Sequence, residues 1–450
     1  MSRFIPNRKE HREKMFRDIG VETFEELLEP VPEKYRLKDK LNIPGPLSEL
    51  ELTGEFEEFA GKNTGAELAC FLGAGVYDHF IPAAVDHVLL RSEFYTAYTP
   101  YQAEVSQGTL QAIFEYQTMI ARLTGMEMAN ACMYDGASAA AEACLMAIRV
   151  TKKHKIMVAG SLNPRWLDVI KTYLKRDEFK IVEIPFLENG TLDLAAAGKL
   201  VDPDTAGILV QYPNYFGIVE DLQPSADLIH DHKGLLICAA DPVALPLLRS
   251  PGDAGADIVV GEGQSMGIPM SYGGPYAGFM ASRIKLARKM PGRIIGRTTD
   301  RAGQTGYVLT LQTREQHIRR NKATSNICSN QALMALANTV YLSLMGEQGF
   351  REISSQCYHK SHYLEKKLLE IPGTSRIFDK ADFFREFTIS LPVPATDFRD
   401  RMIDHGILAG LPLPELGKGA ILVTVTEKRT RDEIDRYVAA ATHICGEGKS

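Results

Sequence analysis

Six short apolar runs between residues 154 and 282 constrain the fold of this chain more than any other feature. They read HKIMVAG, FKIVEIP, TAGILVQYP, GLLICAAD, ADIVVGEG and YAGFMAS. Each run is continuously apolar at its centre rather than alternating, and this is typical of strands buried on both faces of a sheet. Most gaps between the runs are long enough for a crossover helix, as in PRWLDVIKTYLKR and PSADLIHDH. The pattern predicts an α/β domain with a large, mostly parallel sheet.

The regions on either side of these runs have helical spacing or mixed patterns. TFEELLEPVPEKYRL predicts a helix that Pro30 stops, and LSELELTGEFEEFAGKN and GTLQAIFEYQTMIARLTGM predict two more, the last ending at Gly125. NICSNQALMALANTVYLSLMG predicts a long helix. Beyond it, EFTISLP and AILVTVT predict strands, and ATDFRDRMIDHG and TRDEIDRYVAAATHIC predict helices with Gly406 and Gly446 at capping positions. We therefore expect a helical arm over residues 1–79, the large α/β domain over 80–325, and a linking helix with a small α+β domain over 326–450.

Composition excludes several classes of protein. The 450 residues are 45% apolar, enough for a sizeable core, and the net charge of −6 does not suit general nucleic-acid binding. The sequence contains no uncharged apolar run of 18 residues, and it starts with the charged stretch MSRFIPNRKEHREKMFRD. We therefore predict neither a membrane span nor a signal peptide, and a cytoplasmic location. The seven cysteines are scattered and never spaced as CxxC, so we expect buried thiols rather than disulfides or a structural metal site.

Asp241 and Gln264 follow two of the predicted strands, at the edge where open α/β sheets bind ligands. Asp241 is either a turn or helix-capping residue before Pro242, or a carboxylate placed to pair with the pyridinium nitrogen of pyridoxal phosphate. Gln264 lies 23 residues later, about one helix and one strand, where the lysine that forms a Schiff base with that cofactor would be expected. A glutamine side chain cannot form this bond.

Two further loops have the composition of ligand sites. YDGASAAAEA places Gly136 and Ser138 at the start of an alanine-rich helix, which either binds a phosphate through its backbone N–H groups or simply packs closely. SEFYTAYTPYQAEVSQG repeats tyrosine at Tyr95, Tyr98 and Tyr101 in a polar segment that predicts neither helix nor strand. These tyrosines either anchor a loop on the core or line the mouth of a ligand site.

A basic segment lies between residues 283 and 322. It contains eleven lysines and arginines and only two acidic residues, in a chain whose net charge is negative. Arg314, Arg319 and Arg320 are spread as on a helix, and a solvated helix face is the ordinary explanation. The alternative is a surface for an anionic partner or a cofactor phosphate.

Four long segments together resemble one known family. FYTAYTPYQAEVSQG, YDGASAAAEA, GQSMGIPMSYGGPYAGF and LQTREQHIRRNKATSNICSNQAL look like the signature segments of the glycine decarboxylase P-protein of the glycine cleavage system. They are most similar to the alpha subunit of its two-subunit bacterial form. The resemblance covers nearly the whole chain, from RFIPN to the last helix.

The resemblance implies a fold-type I pyridoxal phosphate architecture with an arm, a seven-stranded large domain and a small domain. In the family, the working subunit has an HKTF..PHGGGGPG loop whose lysine holds the cofactor. Aligning the shared Ile-Pro and Gly-Gly-Pro places Gln264 at that lysine. This chain then has no catalytic residue of its own and binds no cofactor, and its vestigial cofactor-site positions are Gly136, Ser138, Asp241 and Gln264.

The resemblance also implies the reaction and the partners. The family decarboxylates glycine and transfers the aminomethyl group to the lipoyl arm of H-protein. A homologous beta subunit would bind pyridoxal phosphate, most simply in an alpha2beta2 assembly. The residues expected to reach the partner's glycine pocket are Tyr95, Tyr98, Tyr101, Gln102 and Ser106. Those expected to dock H-protein or the partner are Arg297, Arg301 and Arg314. The rival hypothesis is a degenerate relative that serves only as a scaffold or regulatory partner.

Overall fold

The computed structural model describes residues 7–327 and 329–447. It divides into a compact unit that ends at Ala66 and a second that begins at Glu67. The first unit contains the helices α1 (Lys9–Ile19), α2 (Phe24–Leu27) and α3 (Glu49–Gly61). Helices α2 and α3 both start with a capping box, in which a threonine or serine and a glutamate three residues later bond each other's backbone N–H.

A seven-stranded sheet organises the second unit. Its strands are β2 (Met128–Ala129), β3 (Lys155–Ala159), β4 (Lys180–Ile184), β5 (Thr205–Tyr212), β6 (Leu235–Ala240), β7 (Ile258–Glu262) and β8 (Gly278–Ser282). Their order is β2-β8-β7-β6-β5-β3-β4. Strands β7 to β4 are parallel, whereas β8 is antiparallel to both of its neighbours. All six predicted strands are confirmed; β2 has only two residues and was not predicted.

The sheet is buried on both faces, which explains its continuously apolar strands. Ile208 and Val210 of β5 belong to one apolar core, and Leu209 between them belongs to another. The helices of this region are α4 (Ala83–Leu89), α5 (Ser92–Tyr95), α6 (Gln107–Thr124), α7 (Gly136–Thr151), α8 (Pro164–Tyr173), α9 (Leu194–Leu200) and α10 (Leu222–Asp231). As predicted, α6 ends at Gly125, which has a left-handed φ of 69°.

The basic segment is not one continuous helix. It forms an antiparallel hairpin of β9 (Ile294–Thr299) and β10 (Thr305–Thr310), followed by the short helix α11 (Gln316–Arg319). Arg314 ends a separate 3-10 turn, and Glu315 between the two has an extended backbone. The helix-like spacing of these arginines therefore does not correspond to one helix face.

The C-terminal part contains a second, antiparallel sheet. Its elements are α12 (Ala332–Leu368), β11 (Ser375–Arg376), β12 (Glu386–Ser390), α13 (Ala395–Ile403), β13 (Ile407–Leu408), β14 (Leu411–Pro412), β15 (Ala420–Thr424) and α14 (Arg431–Glu447). The sheet order is β11-β12-β15-β14, while β13 pairs in parallel with β1 (Ala69–Cys70). The long helix is broken at Gly346, where φ is 60°.

Most predicted elements of this part are confirmed, but the predicted cap at Gly446 is wrong. Helix α14 continues through Gly446 to Glu447, because Ile444 and Cys445 are still packed in the core.

The cysteines that the structure describes, Cys70, Cys132, Cys144, Cys238, Cys357 and Cys445, are buried free thiols, and Cys328 lies outside the described residues. Among the residues described, no helix is both long and apolar enough to cross a membrane. The predicted division into three domains stays a prediction.

Candidate functional site

Gln264 lies two residues after β7 and is only 2% exposed. Its Oε1 accepts a hydrogen bond from the backbone N–H of Tyr77 at 2.9 Å, and its Nε2 donates to the carbonyls of Tyr77 at 3.0 Å and Ile268 at 2.9 Å. The amide thus ties the loop after β7 to the segment around Tyr77. A lysine ammonium has no acceptor atom and could not make the first of these bonds. Gln264 is therefore a structural residue at this position.

Asp241 follows β6, the strand beside β7. Its Oδ2 lies 2.6 Å from Nη2 of Arg385, which is 1% exposed and comes directly before β12 of the small sheet. The centre of that guanidinium is 3.6 Å from the centre of the Tyr77 ring, in a cation–π contact. Oδ1 of Asp241 also accepts the backbone N–H of Val243 at 3.0 Å, a contact of the kind that the turn interpretation predicts. The ion pair with Arg385 is a different contact from the predicted pairing with a cofactor nitrogen.

Arg385 also belongs to a buried series of hydrogen-bonded polar side chains. It donates to Nε2 of His79, whose Nδ1 is 2.5 Å from Oε2 of Glu427. Because arginine can only donate, Nε2 must accept and Nδ1 holds the proton that goes to Glu427. Burial opposes ionisation of Glu427, but its hydrogen bonds from His79 and from the backbone outweigh this and lower its pKa to about 2.

His79, Cys357 and Glu427 have the residue types of a metal site, with their ligand atoms within 4.8 Å of one another. Their donor atoms are already engaged: Cys357 donates to the same carboxylate at 3.6 Å, and the imidazole is bonded at both nitrogens. The guanidinium of Arg385 touches the same imidazole, so a metal ion would face a fixed positive charge. The cluster is better described as a hydrogen-bonded network than as a metal centre.

Glu262, the last residue of β7, was not predicted as a site residue. Its Oε2 accepts the backbone N–H of Gly136, the first residue of α7, at 2.9 Å. Its Oε1 accepts the N–H groups of Gln264 at 3.0 Å and Ala277 at 3.2 Å. Desolvation raises the pKa of this carboxyl to about 7. Ser138, in contrast, forms a capping box with Asp135, accepting and donating within the first turn of α7.

The four positions that the resemblance assigns to a vestigial cofactor site are therefore brought together. Glu262 bonds both Gly136 and Gln264, and Tyr77 joins Gln264 to the Asp241 ion pair through Arg385. These residues do not fit pyridoxal phosphate. A fully bonded amide stands where the resemblance places the lysine, and the carboxylate that it assigns to the ring nitrogen is paired with an arginine. A carboxylate also accepts the first backbone N–H of α7, where a phosphate would bind.

The tyrosine segment lies mostly on the surface. Tyr95, Tyr98 and Tyr101 are 62%, 78% and 53% exposed. Tyr101 is nevertheless held in place, since the Arg293 guanidinium lies 5.8 Å from its ring centre and the His317 ring packs edge-on at 5.8 Å. Gln102 and Ser106 flank a 3-10 turn before α6, and Gln102 is exposed whereas Ser106 is half-buried.

An apolar groove adjoins this segment. It is bordered by α5, the first half of α6 and the first half of α12, and its lining residues include Phe94, Tyr95, Tyr98, Ile113, Leu333 and Leu336. A second depression beside it continues the groove along α12 as far as Leu344, which is 50% exposed. Tyr95, Tyr98 and Leu344 are exposed along this groove, and apolar side chains exposed together are typical of a surface that another protein covers.

The three predicted docking arginines are not together on one surface. Arg297 lies on β9 and Arg301 in the turn of the β9–β10 hairpin, and both are exposed. Arg314 is only 8% exposed, and its guanidinium donates to the carbonyls of Met290, Gly292 at 3.0 Å and Leu311 at 3.1 Å. It holds the loop that follows the hairpin, and a partner protein cannot reach it here.

Sequence reasoning missed the residues that fill the site, namely Tyr77, His79, Glu262, Arg385 and Glu427. Glu262 had a signal, because it ends a predicted strand in the same way as Asp241. The other four lie more than 100 residues from Asp241 or come from segments without a motif, and only folding brings them to the edge of the main sheet.

Comparison with known proteins agrees with this structure. Residues 2–440 match the family model for the glycine cleavage system P-protein. A similar relative is the protein of Desulforamulus reducens named "probable glycine dehydrogenase (decarboxylating) subunit 1", which is 52% identical over 97% of this chain and 98% of its own length.

Solved structures give the same result. A crystal structure of glycine decarboxylase (P-protein) of the glycine cleavage system, in inhibitor-bound form, has a TM-score of 0.91 and 39% identity, covering 99% of this chain and all of its own. Glutamate decarboxylase of Lactobacillus brevis, at 13% identity and a TM-score of 0.69 over 92% of this chain and 96% of its own, shows the fold-type I architecture alone. The chain therefore belongs to the glycine cleavage system P-protein family.

Proposed function

We propose that this chain is subunit 1 of a two-subunit glycine dehydrogenase (decarboxylating), and that it acts only beside a homologous subunit that binds pyridoxal phosphate. The observation that supports this most directly is Gln264, a buried and fully hydrogen-bonded amide at the position of the Schiff-base lysine. The partner's cofactor would supply the chemistry that releases carbon dioxide from glycine. Cytoplasmic location and an alpha2beta2 assembly stay predictions from the sequence.

The contribution of this chain to catalysis is proposed to come from the tyrosine segment. Tyr95 and Tyr98 lie exposed beside an apolar groove, so a partner covering the groove would bury their rings and leave the hydroxyl groups at its edge. Tyr101 is held by Arg293 and is suited to orient a neighbouring anionic group. With Gln102 and Ser106, these side chains would complete the glycine pocket of the partner subunit.

The experiment is glycine–carbon dioxide exchange by the reconstituted pair of subunits. Tyr98→Phe and Tyr101→Phe remove only hydroxyl groups, so assembly should persist while exchange falls by about tenfold or more. Tyr173→Phe, at a partly exposed tyrosine of α8 away from the segment, is the matched control. Unchanged exchange in both segment variants would favour the rival hypothesis, a scaffold or regulatory partner without a role in the site.

H-protein is proposed to dock on the β9–β10 hairpin. Arg297 and Arg301 are exposed there, and an acidic, lipoylated protein would be attracted to them. Charge reversal at both positions should weaken the apparent affinity for H-protein and flatten its salt dependence. Lys289→Glu, an exposed cation outside the hairpin, is the control. An equal effect of the control would show only a general charge effect, and weaker assembly with the second subunit would instead place the hairpin at the subunit interface.

A further inference from the structure

Three charged or polar side chains, Glu262, Gln264 and Arg385, lie at the edge of the main sheet where the resemblance places a cofactor site. Strands β6 and β7 pair in parallel with Ala239 opposite Val260, so continuing this register places Asp241 level with Glu262. Gln264 follows two residues later, and the start of α7 lies against the same edge through the bond between Gly136 and Glu262. In a fold-type I enzyme this edge faces the cofactor.

Glu262 occupies the anion position of this edge. Three backbone N–H groups converge on its carboxylate, one of them from the first residue of a 16-residue helix. The positive end of a helix dipole and converging N–H groups are the features that bind phosphate. The ring of Trp166 lies beside this position, because a side-chain carbon added at Gly136 would be 2.5 Å from that ring and 3.1 Å from Cβ of Glu262.

Arg385 occupies the ring position. It is a planar cation, it pairs with Asp241 at 2.6 Å, and it stacks 3.6 Å above the ring of Tyr77. A protonated pyridine ring that pairs with a carboxylate and stacks on an aromatic side chain presents the same charge and the same flat shape. Gln264 in turn occupies the place of the Schiff base with an amide bonded on both sides.

We propose that this chain has replaced the cofactor group by group with its own side chains, Glu262 standing for the phosphate, Arg385 for the pyridinium ring and Gln264 for the Schiff-base lysine. The proposal rests on the proposed function, in which the cofactor belongs to the partner. Its added content is that the site is filled rather than merely lacking a lysine. Restoring the lysine alone therefore leaves a carboxylate where the phosphate must bind and a guanidinium where the ring must lie.

The first test uses the full-length chain and inorganic phosphate. Glu262→Ala should empty the anion position, so phosphate should raise the thermal midpoint of this variant above its value in chloride of equal ionic strength. Wild type and Glu262→Gln, which keeps the volume of the side chain but converts one acceptor oxygen into a donor NH2 group, should not respond. Pyridoxal phosphate, followed by quenching of Trp166, the single tryptophan of the chain, should bind Glu262→Ala about tenfold tighter than wild type.

A folded Glu262→Ala chain without a response to either anion would overturn the proposal, as would an equal response of wild type. In the second test, the single variant keeps Glu262 and so does not depend on the folding of Glu262→Ala. Gln264→Lys alone should give no borohydride-stable pyridoxal adduct at position 264 by peptide mapping, whereas Gln264→Lys combined with Glu262→Ala and Arg385→Leu should give one. An adduct at position 264 in the single variant contradicts the proposal. Neither measurement uses catalytic activity, so its outcome decides this proposal and does not decide the proposed function.

Discussion

Removal of Arg385 should destabilise the chain more than most single substitutions. The guanidinium is 1% exposed, pairs with Asp241 at 2.6 Å and stacks on Tyr77 at 3.6 Å. Arg385→Met leaves the Asp241 carboxylate without its cation, and breaking a buried pair in this way costs about 3–5 kcal/mol. Loss of the cation–π contact adds up to about 1 kcal/mol. We therefore expect a loss of about 3–6 kcal/mol in the free energy of unfolding.

The assay is urea unfolding followed by circular dichroism and by tryptophan fluorescence, whose agreement checks two-state behaviour. Asp241→Asn combined with Arg385→Met removes both charges and should recover at least about 2 kcal/mol of the loss. Arg351→Met, at an exposed arginine of α12, should change the free energy by no more than about 0.5 kcal/mol. A loss below about 1 kcal/mol for Arg385→Met, or no recovery in the double variant, would refute the ion pair as a stabilising contact between the main sheet and the small sheet.

Three further substitutions test other contacts by the same unfolding assay. Gln264→Leu removes three hydrogen bonds to buried backbone groups and should cost about 2–4 kcal/mol; a neutral effect would contradict its structural role. The pKa of Glu262 is raised in the folded chain from 4.5 to about 7, so its contribution favours folding below pH 4.5 and is lost as pH rises through 7. Relative to wild type, Glu262→Gln should therefore gain up to about 3 kcal/mol between those pH values, and a constant difference would show that folding does not raise the pKa of this carboxyl. Gly278→Ala would place a carbon 2.2 Å from the carbonyl oxygen of Asp135 and should cost about 1–3 kcal/mol, whereas Gly198→Ala, in a helix with open space around it, should stabilise slightly.

The elements of the main sheet could be predicted because their pattern has one physical cause. Strands buried on both faces must be apolar throughout, so β3 and β5 to β8 stand out from their surroundings without any knowledge of the fold. The edge strand β4 is partly exposed and has a weaker apolar pattern. The two-residue strands β1, β2 and β13 have no such pattern, since their pairing depends on neighbours that are distant along the chain. The β9–β10 hairpin was missed because its segment was interpreted from its basic charge, and the helix-like spacing of Arg314, Arg319 and Arg320 lies beyond the hairpin.

The sequence by itself determined that a loop after a buried strand has glutamine where a lysine would be needed, and that Asp241 ends the neighbouring strand. It also determined the family, since four long segments match in order. It did not determine what fills the site. Arg385, His79 and Glu427 lie far from Asp241 along the chain, and a lone arginine or histidine in a sequence gives no sign of its partner.

Only the tertiary structure decided that these charges meet. Desolvation makes an isolated buried charge costly, so each of these groups must be matched by another or by converging backbone N–H groups, and the match depends on distances that only folding sets. The same reason explains Arg314, whose basic neighbours suggested an exposed docking residue until the fold placed three carbonyl groups around it.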